Sequence, residues 1–400
     1  MAFSPLVQRI ADEGAAAWEI HAAAVAAARR GADVCLLSVG DPDLATPRAV
    51  TDTAVESLRR GRTHYTDVLG EPELRRAIAA QAADQTGLAI DAANVCVTAG
   101  AQNALFTAAL LCLQPGDEVL VPDPCYVTYE ATIRITGATP VRVSPRADSD
   151  FRPDPAALAA AITDKTKAIW LTTPNNPTGV TLTPAELDAL ADLARRHDLW
   201  VIADEVYAAL TFTREHHSIA ARPDMAARTV TVSSLSKSHA MTGWRVGWLV
   251  APEALVVHAG NLALAMHYGL PGFVQDAAVR AIADAPDIVA ENRAIYRARR
   301  DLLLDKLSAA PGIRPLCPEA GMFLMADVRA TGMRGTDFAW ALFREQGVSV
   351  LDAGAFGPSA EGYVRLSYTL GETRLAEAAR RIAAFCEQRR ATSAMRGVHG

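Results

Sequence analysis

The sequence predicts an α/β protein: a large domain with a mostly parallel sheet between helices, and a small α+β domain. Three observations carry that prediction. From about residue 93, short runs rich in Val, Ile and Leu alternate with amphipathic stretches, as in successive βαβ units. The runs lack the polar alternation of a half-exposed sheet, so both sheet faces are expected to be covered. After about residue 285 the pattern changes to a long charged helix and then to a few shorter strands.

Taken in chain order, residues 1–45 read as a helical segment contributing to the small domain, 46–288 as the large domain, and 289–400 as the rest of the small domain. The predicted strands of the large domain are NVCV (94–97), EVLV (118–121), KAIWL (167–171), LWVIA (199–203), TVTV (229–232) and WLV (248–250). TPAELDALADLARRH (183–197) reads as a helix, because Thr183 can cap it and Pro184 suits its first turn. ENRAIYRARRDLLLDKL (291–307) is the long charged helix, and GMFLMADV (321–328) and GYVRLSY (362–368) are the strands beyond it.

Composition limits the function. A chain of 400 residues exceeds one ordinary core, in keeping with two domains. Lys and Arg number 39 against 45 Asp and Glu, a net charge of −6 with no long basic run, so nucleic acid is not an expected partner. The six cysteines form no CxxC, and His216-His217 has no acidic or cysteine ligand at helical spacing, so no metal is expected. MAFSPLVQRIADEG lacks an apolar signal core, and no run is long enough to cross a membrane. A cytoplasmic enzyme with reduced cysteines is the expectation.

Ligands of open parallel sheets bind beyond the carboxyl ends of the strands. Here NVCV is followed by TAGAQNAL, EVLV by PDPCYVTYE, KAIWL by TTPNNPTG, LWVIA by DEVY and TVTV by SSLSK. Five such ends in register point to a single site. Lys237, flanked by small polar residues, can be desolvated enough to condense with an aldehyde, although alone it fits a solvated loop lysine. Asp204 ends an apolar strand, so its carboxylate needs a cation or hydrogen bonds. A protonated pyridine nitrogen would serve, while an N-cap at a βα turn fits the residue taken alone. Gly100-Ala101-Gln102 opens a helix whose free N–H groups suit a phosphate, with Ser234, Ser236 and Arg245 completing a cup. Tyr126 can stack on a flat ring, and Asn176 and Tyr207 can donate to a ring oxygen. Together these requirements describe pyridoxal 5′-phosphate.

The motifs GDPDLATP (40–47), HYTDVLGEPELR (64–75), PNNPTG (174–179), DEVY (204–207) and SLSKSHAMTGWRVG (234–247) resemble those of fold type I, class I aminotransferases. The resemblance runs in order over essentially the whole chain. It implies a seven-stranded large-domain sheet, the cofactor pyridoxal phosphate with pyridoxamine phosphate as its alternate form, and a homodimer. Lys237 is similar to the lysine that carries the cofactor and shuttles the proton, Asp204 to the pyridinium partner, and Tyr126 to the stacking ring. Asn176 and Tyr207 match the donors to the ring hydroxyl. Ser234, Arg245, Ala101 and Gln102 sit at phosphate positions, although many relatives place a serine or lysine within 99–103. Tyr65 matches a tyrosine that reaches the phosphate of the neighbouring subunit. Arg365 resembles the arginine that clamps the substrate α-carboxylate, a group that a planar guanidinium holds with two parallel bonds. Gly40 sits where a backbone N–H meets the same carboxylate.

At finer grain, QRIADEGAAAWEIH (8–21), YVTYEA (126–131), YGLPGFVQDAA (268–278) and VSVLDAGAFGPSA (348–360) look most like arginine–pyruvate aminotransferases. That likeness implies a guanidino-bearing substrate, arginine or a cyclised derivative such as enduracididine, and a 2-oxo acid such as pyruvate. A guanidinium in a partly closed site needs an acidic partner. Asp12, Glu13 and Glu19 lie on the segment that in this family folds over the substrate side chain. Glu19 is preferred because the ring of Trp18 beside it can stack on a guanidinium. Aspartate- or aromatic-type aminotransferases, a β-lyase, and an arginine oxidase or hydroxylase on the same fold stay open on these motifs. The acidic charge disfavours a DNA-binding regulatory role.

Overall fold

Seven strands form the large sheet of the computed structural model, which describes residues 3–10, 16–146 and 149–397. In spatial order they are Val95–Thr98, Gly247–Val250, Thr229–Ser234, Trp200–Asp204, Thr166–Thr172, Glu118–Pro122 and Thr139–Val143. All neighbours are parallel except Gly247–Val250, which runs antiparallel to both strands beside it. Successive residues of one strand feed two different cores. Ile202 packs with helix Ala101–Cys112, whereas Val201 and Ala203 pack with helix Pro184–Arg196. With a helix on each face, the strand has no polar side, which is why its sequence is an unbroken apolar run.

Six of the strands coincide with the predicted runs. The seventh, Thr139–Val143, lies at the sheet edge, where Pro140 and Arg142 interrupt the apolar pattern that would have marked it. Helix Pro184–Arg196 begins as its sequence requires. Thr183 Oγ1 accepts from the Glu186 N–H at 3.2 Å, and the Glu186 carboxylate accepts from the Thr183 N–H at 2.7 Å.

A second, antiparallel sheet runs Leu351–Asp352, Tyr363–Ser367, Phe323–Asp327 and Arg314–Pro315. Cys35–Leu36 pairs in parallel with Val348–Ser349, which ties the N-terminal segment to the C-terminal part of the chain. Helix Ala285–Ser308 runs unbroken through position 288/289, where the division between domains was expected. Its Asn292 donates to the Ser238 carbonyl at 2.9 Å, and two turns on Arg299 holds the Asp43 carboxylate through bonds of 2.6 and 3.0 Å. Among the described residues no helix is long and apolar enough to cross a membrane, and no His, Cys, Asp and Glu cluster suits a metal ion. His216 instead lies 3.1 Å from the Glu205 carboxylate.

Candidate active site

A cavity of about 450 Å³ lies beyond the carboxyl ends of the strands that end in Thr172, Asp204 and Ser234. Of the sixteen residues expected at the site, all but Gly100, Tyr65 and Glu19 line it. Lys237 projects from the turn after Ser234, and its Nζ donates to the Gly40 carbonyl at 2.8 Å. Burial lowers the Lys237 pKa to about 8, against an opposing pull from the Asp41 carboxylate. The neutral amine is therefore within reach near neutral pH.

Asp204 ends the neighbouring strand. Burial raises its pKa to about 6, and two donors counter that shift: Tyr129 Oη at 2.6 Å and the Val206 N–H at 3.2 Å. Thr172 Oγ1 donates in turn to Tyr129 Oη at 2.7 Å. The sequence alone did not single out Tyr129. Its one signal is the spacing of three from Tyr126: the Tyr129 N–H bonds the Tyr126 carbonyl across a tight turn, and the two rings lie edge to face at 5.8 Å.

Helix Ala101–Cys112 points its N-terminus at the cavity. Gly100 caps it with φ 85°, a conformation that glycine adopts without steric cost. A Cβ at Gly100 would collide with the Arg245 guanidinium, and one at Gly247 would come within 2.6 Å of the Ala101 nitrogen. Arg245 is itself left-handed at φ 55° and exposed, and it donates to the carbonyls of Thr242 at 2.8 Å and Ala99 at 3.1 Å. The side chain of Gln102 is engaged elsewhere, accepting from Thr128 Oγ1 at 2.8 Å and donating to Thr132 Oγ1 at 3.0 Å. Ala101 and Gln102 therefore present backbone N–H groups rather than side chains to an anion. Ser234 Oγ accepts from the Ser236 N–H at 3.3 Å, which tightens the turn between them, and both serines line the cavity with Ala101 and Gln102.

Arg365, in strand Tyr363–Ser367, is 1% exposed. Phe323 and Phe356 stack on its guanidinium, with ring centroids 4.2 and 4.8 Å away. It donates to Asn176 Oδ1 at 3.0 Å and to the Ser38 carbonyl at 2.9 Å, while its Nε has no partner among the described residues. Burial lowers its pKa to about 10, so it stays a cation at neutral pH, with donors to spare for a carboxylate. Asn176 also hydrogen-bonds Tyr207, whose burial holds the phenol protonated. A Cβ at Gly40 would collide with Phe323, the ring that stacks on Arg365, so only glycine lets the backbone pack this closely there.

Trp18 is half-buried in the cavity wall. Glu19 starts helix Glu19–Arg29, is exposed, and does not line the cavity. Asp12 and Glu13 lie outside the described residues. Tyr65 is 90% exposed and packs against the ring of Tyr268 at 5.5 Å, away from Lys237. Asp41, Thr242 and Gly243 line the cavity without having been expected there.

Pyridoxal phosphate fits this donor set. It requires a buried carboxylate, an amine of lowered pKa and unsatisfied N–H groups at a helix terminus, and one cavity holds all three. The family model described as aminotransferase class I and II matches residues 32–382. Arginine–pyruvate transaminase AruH of Pseudomonas aeruginosa is 51% identical over 384 residues, covering 96% of this chain and 98% of that protein. An aspartate aminotransferase of Musicola paradisiaca is 38% identical over 337 residues, 83% of this chain and 84% of its own length. Among solved structures, aspartate aminotransferase from Thermus thermophilus with maleate superposes with a TM-score of 0.91 at 34% identity, covering 96% of this chain and 99% of that one. A likeness that takes in both sheets and the cavity between them admits one conclusion: the chain belongs to the class I and II aminotransferases, and it is a transaminase dependent on pyridoxal phosphate.

Proposed function

We propose that this enzyme moves the α-amino group of arginine to pyruvate. The observation that carries the reading is the 51% identity to an arginine–pyruvate transaminase over nearly the whole of both chains. That relative's name specifies arginine and not a cyclised derivative such as enduracididine, so arginine itself is the donor proposed.

Bound through Lys237, pyridoxal phosphate supplies the electron sink that stabilises negative charge on the substrate α-carbon. Arg365 holds the α-carboxylate with two parallel bonds, the Gly40 N–H joins it, and the α-hydrogen is thereby turned towards Lys237. As the free amine, Lys237 takes that proton onto Nζ and delivers it to the other end of the reacting system. Its lowered pKa suits both halves of the task. Asp204, fixed by Tyr129 and Val206, would keep the ring nitrogen protonated. Asn176 and Tyr207 would donate to the ring hydroxyl, with Tyr126 as the stacking partner of the ring. Ser234, Ser236, Arg245 and the N–H groups of Ala101 and Gln102 would hold the phosphate. The working unit is a homodimer in which Tyr65 reaches the neighbouring site. Its exposed ring, paired with Tyr268, supports that role.

The test is a panel of amino acids, each followed by the change in cofactor absorbance in a single turnover. Arginine should react fastest, and pyruvate should restore the starting spectrum. If aspartate, alanine and the aromatic amino acids all outpace arginine, the substrate reading fails while the transaminase assignment stands.

A further inference from the structure

Among the described residues two carboxylates line the Lys237 cavity, Asp204 and Asp41. Asp204 is buried and engaged by Tyr129 and Val206. Asp41 is exposed, its Oδ1 accepts from Thr242 Oγ1 at 2.6 Å, and it has no ion-pair partner among the described residues. We infer that Asp41 selects the guanidinium end of the substrate, a role that rests on arginine being the donor.

Three features support the assignment. The first is rigidity. Gly40 packs directly on Phe323, and Asp43 is held by Arg299. Thr46 donates to the Ala240 carbonyl at 3.0 Å and accepts from Trp244 Nε1 at 3.0 Å. Anchors on both sides hold the Asp41 carboxylate in place before a ligand arrives, which removes most of the ordering cost of binding.

The second is charge layout. Arg365 is a cation deep in the site, and Asp41 is an anion in the exposed part of the same wall. That layout complements an amino acid with a carboxylate at one end and a cation at the other. It repels the second carboxylate of aspartate or glutamate. The third is the neighbourhood. Trp18 lines the same cavity, and an indole is the aromatic side chain that best accepts a guanidinium, whereas Glu19 does not line it. Asp41 therefore takes the part that the sequence suggested for Glu19.

The experiment compares arginine with citrulline, which has the same length and an uncharged end, by single-turnover absorbance on the holoenzyme. Wild type should favour arginine. Asp41→Asn should cut the arginine-to-citrulline rate ratio roughly tenfold or more, the worth of one hydrogen bond to a charged group. Asp41→Glu should retain the preference, and Asp41→Ser gives a second uncharged variant should the first misfold. If both uncharged variants slow the two substrates equally, Asp41 acts on Lys237 and the inference is overturned. If wild type itself shows no preference for arginine, the donor reading falls first, and this assignment falls with it.

Discussion

Lys237, with a pKa near 8, is about one-tenth neutral at pH 7, where an unperturbed lysine would be almost wholly charged. Only the neutral amine attacks an aldehyde. Recapture of pyridoxal phosphate by the cofactor-free enzyme should therefore accelerate as pH rises through about 8 and level off above it. Stopped-flow absorbance reads the midpoint, and a midpoint near 10.5 would mean a solvated lysine. Borohydride should fix the cofactor to the Lys237 peptide, and label on another lysine would refute the assignment. A second prediction concerns Tyr129. Its hydrogen bond lowers the Asp204 pKa, so in Tyr129→Phe that pKa rises from about 6 and the carboxylate protonates sooner on acidification. The acid limb of the kcat/KM profile should move to higher pH, with activity near pH 8 little changed. A uniform loss at every pH would indicate simple structural damage. Lys237 and Asp204 were legible because each follows an apolar strand and stands beside small or polar residues. Tyr129 was not, since its role comes from a contact 75 positions along the chain.

At the scale of elements, the site depends on how closely helix Ala101–Cys112 approaches strand Gly247–Val250. An added methyl at Gly247 would sit 2.5 Å from the Gly100 carbonyl carbon and 2.6 Å from the Ala101 nitrogen, both backbone atoms that cannot rotate aside. Gly247→Ala should cost about 1–3 kcal/mol, typical of overpacking, and should weaken cofactor binding because the helix terminus is pushed out of place. Thermal melting with and without pyridoxal phosphate tests both effects, and an unchanged cofactor-induced shift would separate the helix terminus from phosphate binding. The strands themselves were readable wherever both faces are buried, as in Trp200–Asp204. Thr139–Val143 was hidden by Pro140 and Arg142, which an edge position tolerates. The reversal of Gly247–Val250 was also hidden, because an apolar run carries no information on strand direction.

On the scale of the whole molecule, a shared site makes a sharp prediction. Tyr65→Phe subunits mixed with Lys237→Ala subunits should regain activity above either parent, because some mixed dimers hold one intact site. No gain after subunit exchange, or an active monomer in sedimentation at assay concentration, would refute the shared arrangement. Helix Ala285–Ser308 has a consequence of the same reach. Asn292 grips the residue after Lys237 and Arg299 grips Asp43, seven positions apart, which is about 10 Å along a helix axis. One stiff rod thus serves as a ruler for two loops that lie almost two hundred positions apart in the sequence. Both graduations sit on the same stick, so the spacing between the loop that carries the amine and the loop that faces it is read off one stretch of helix.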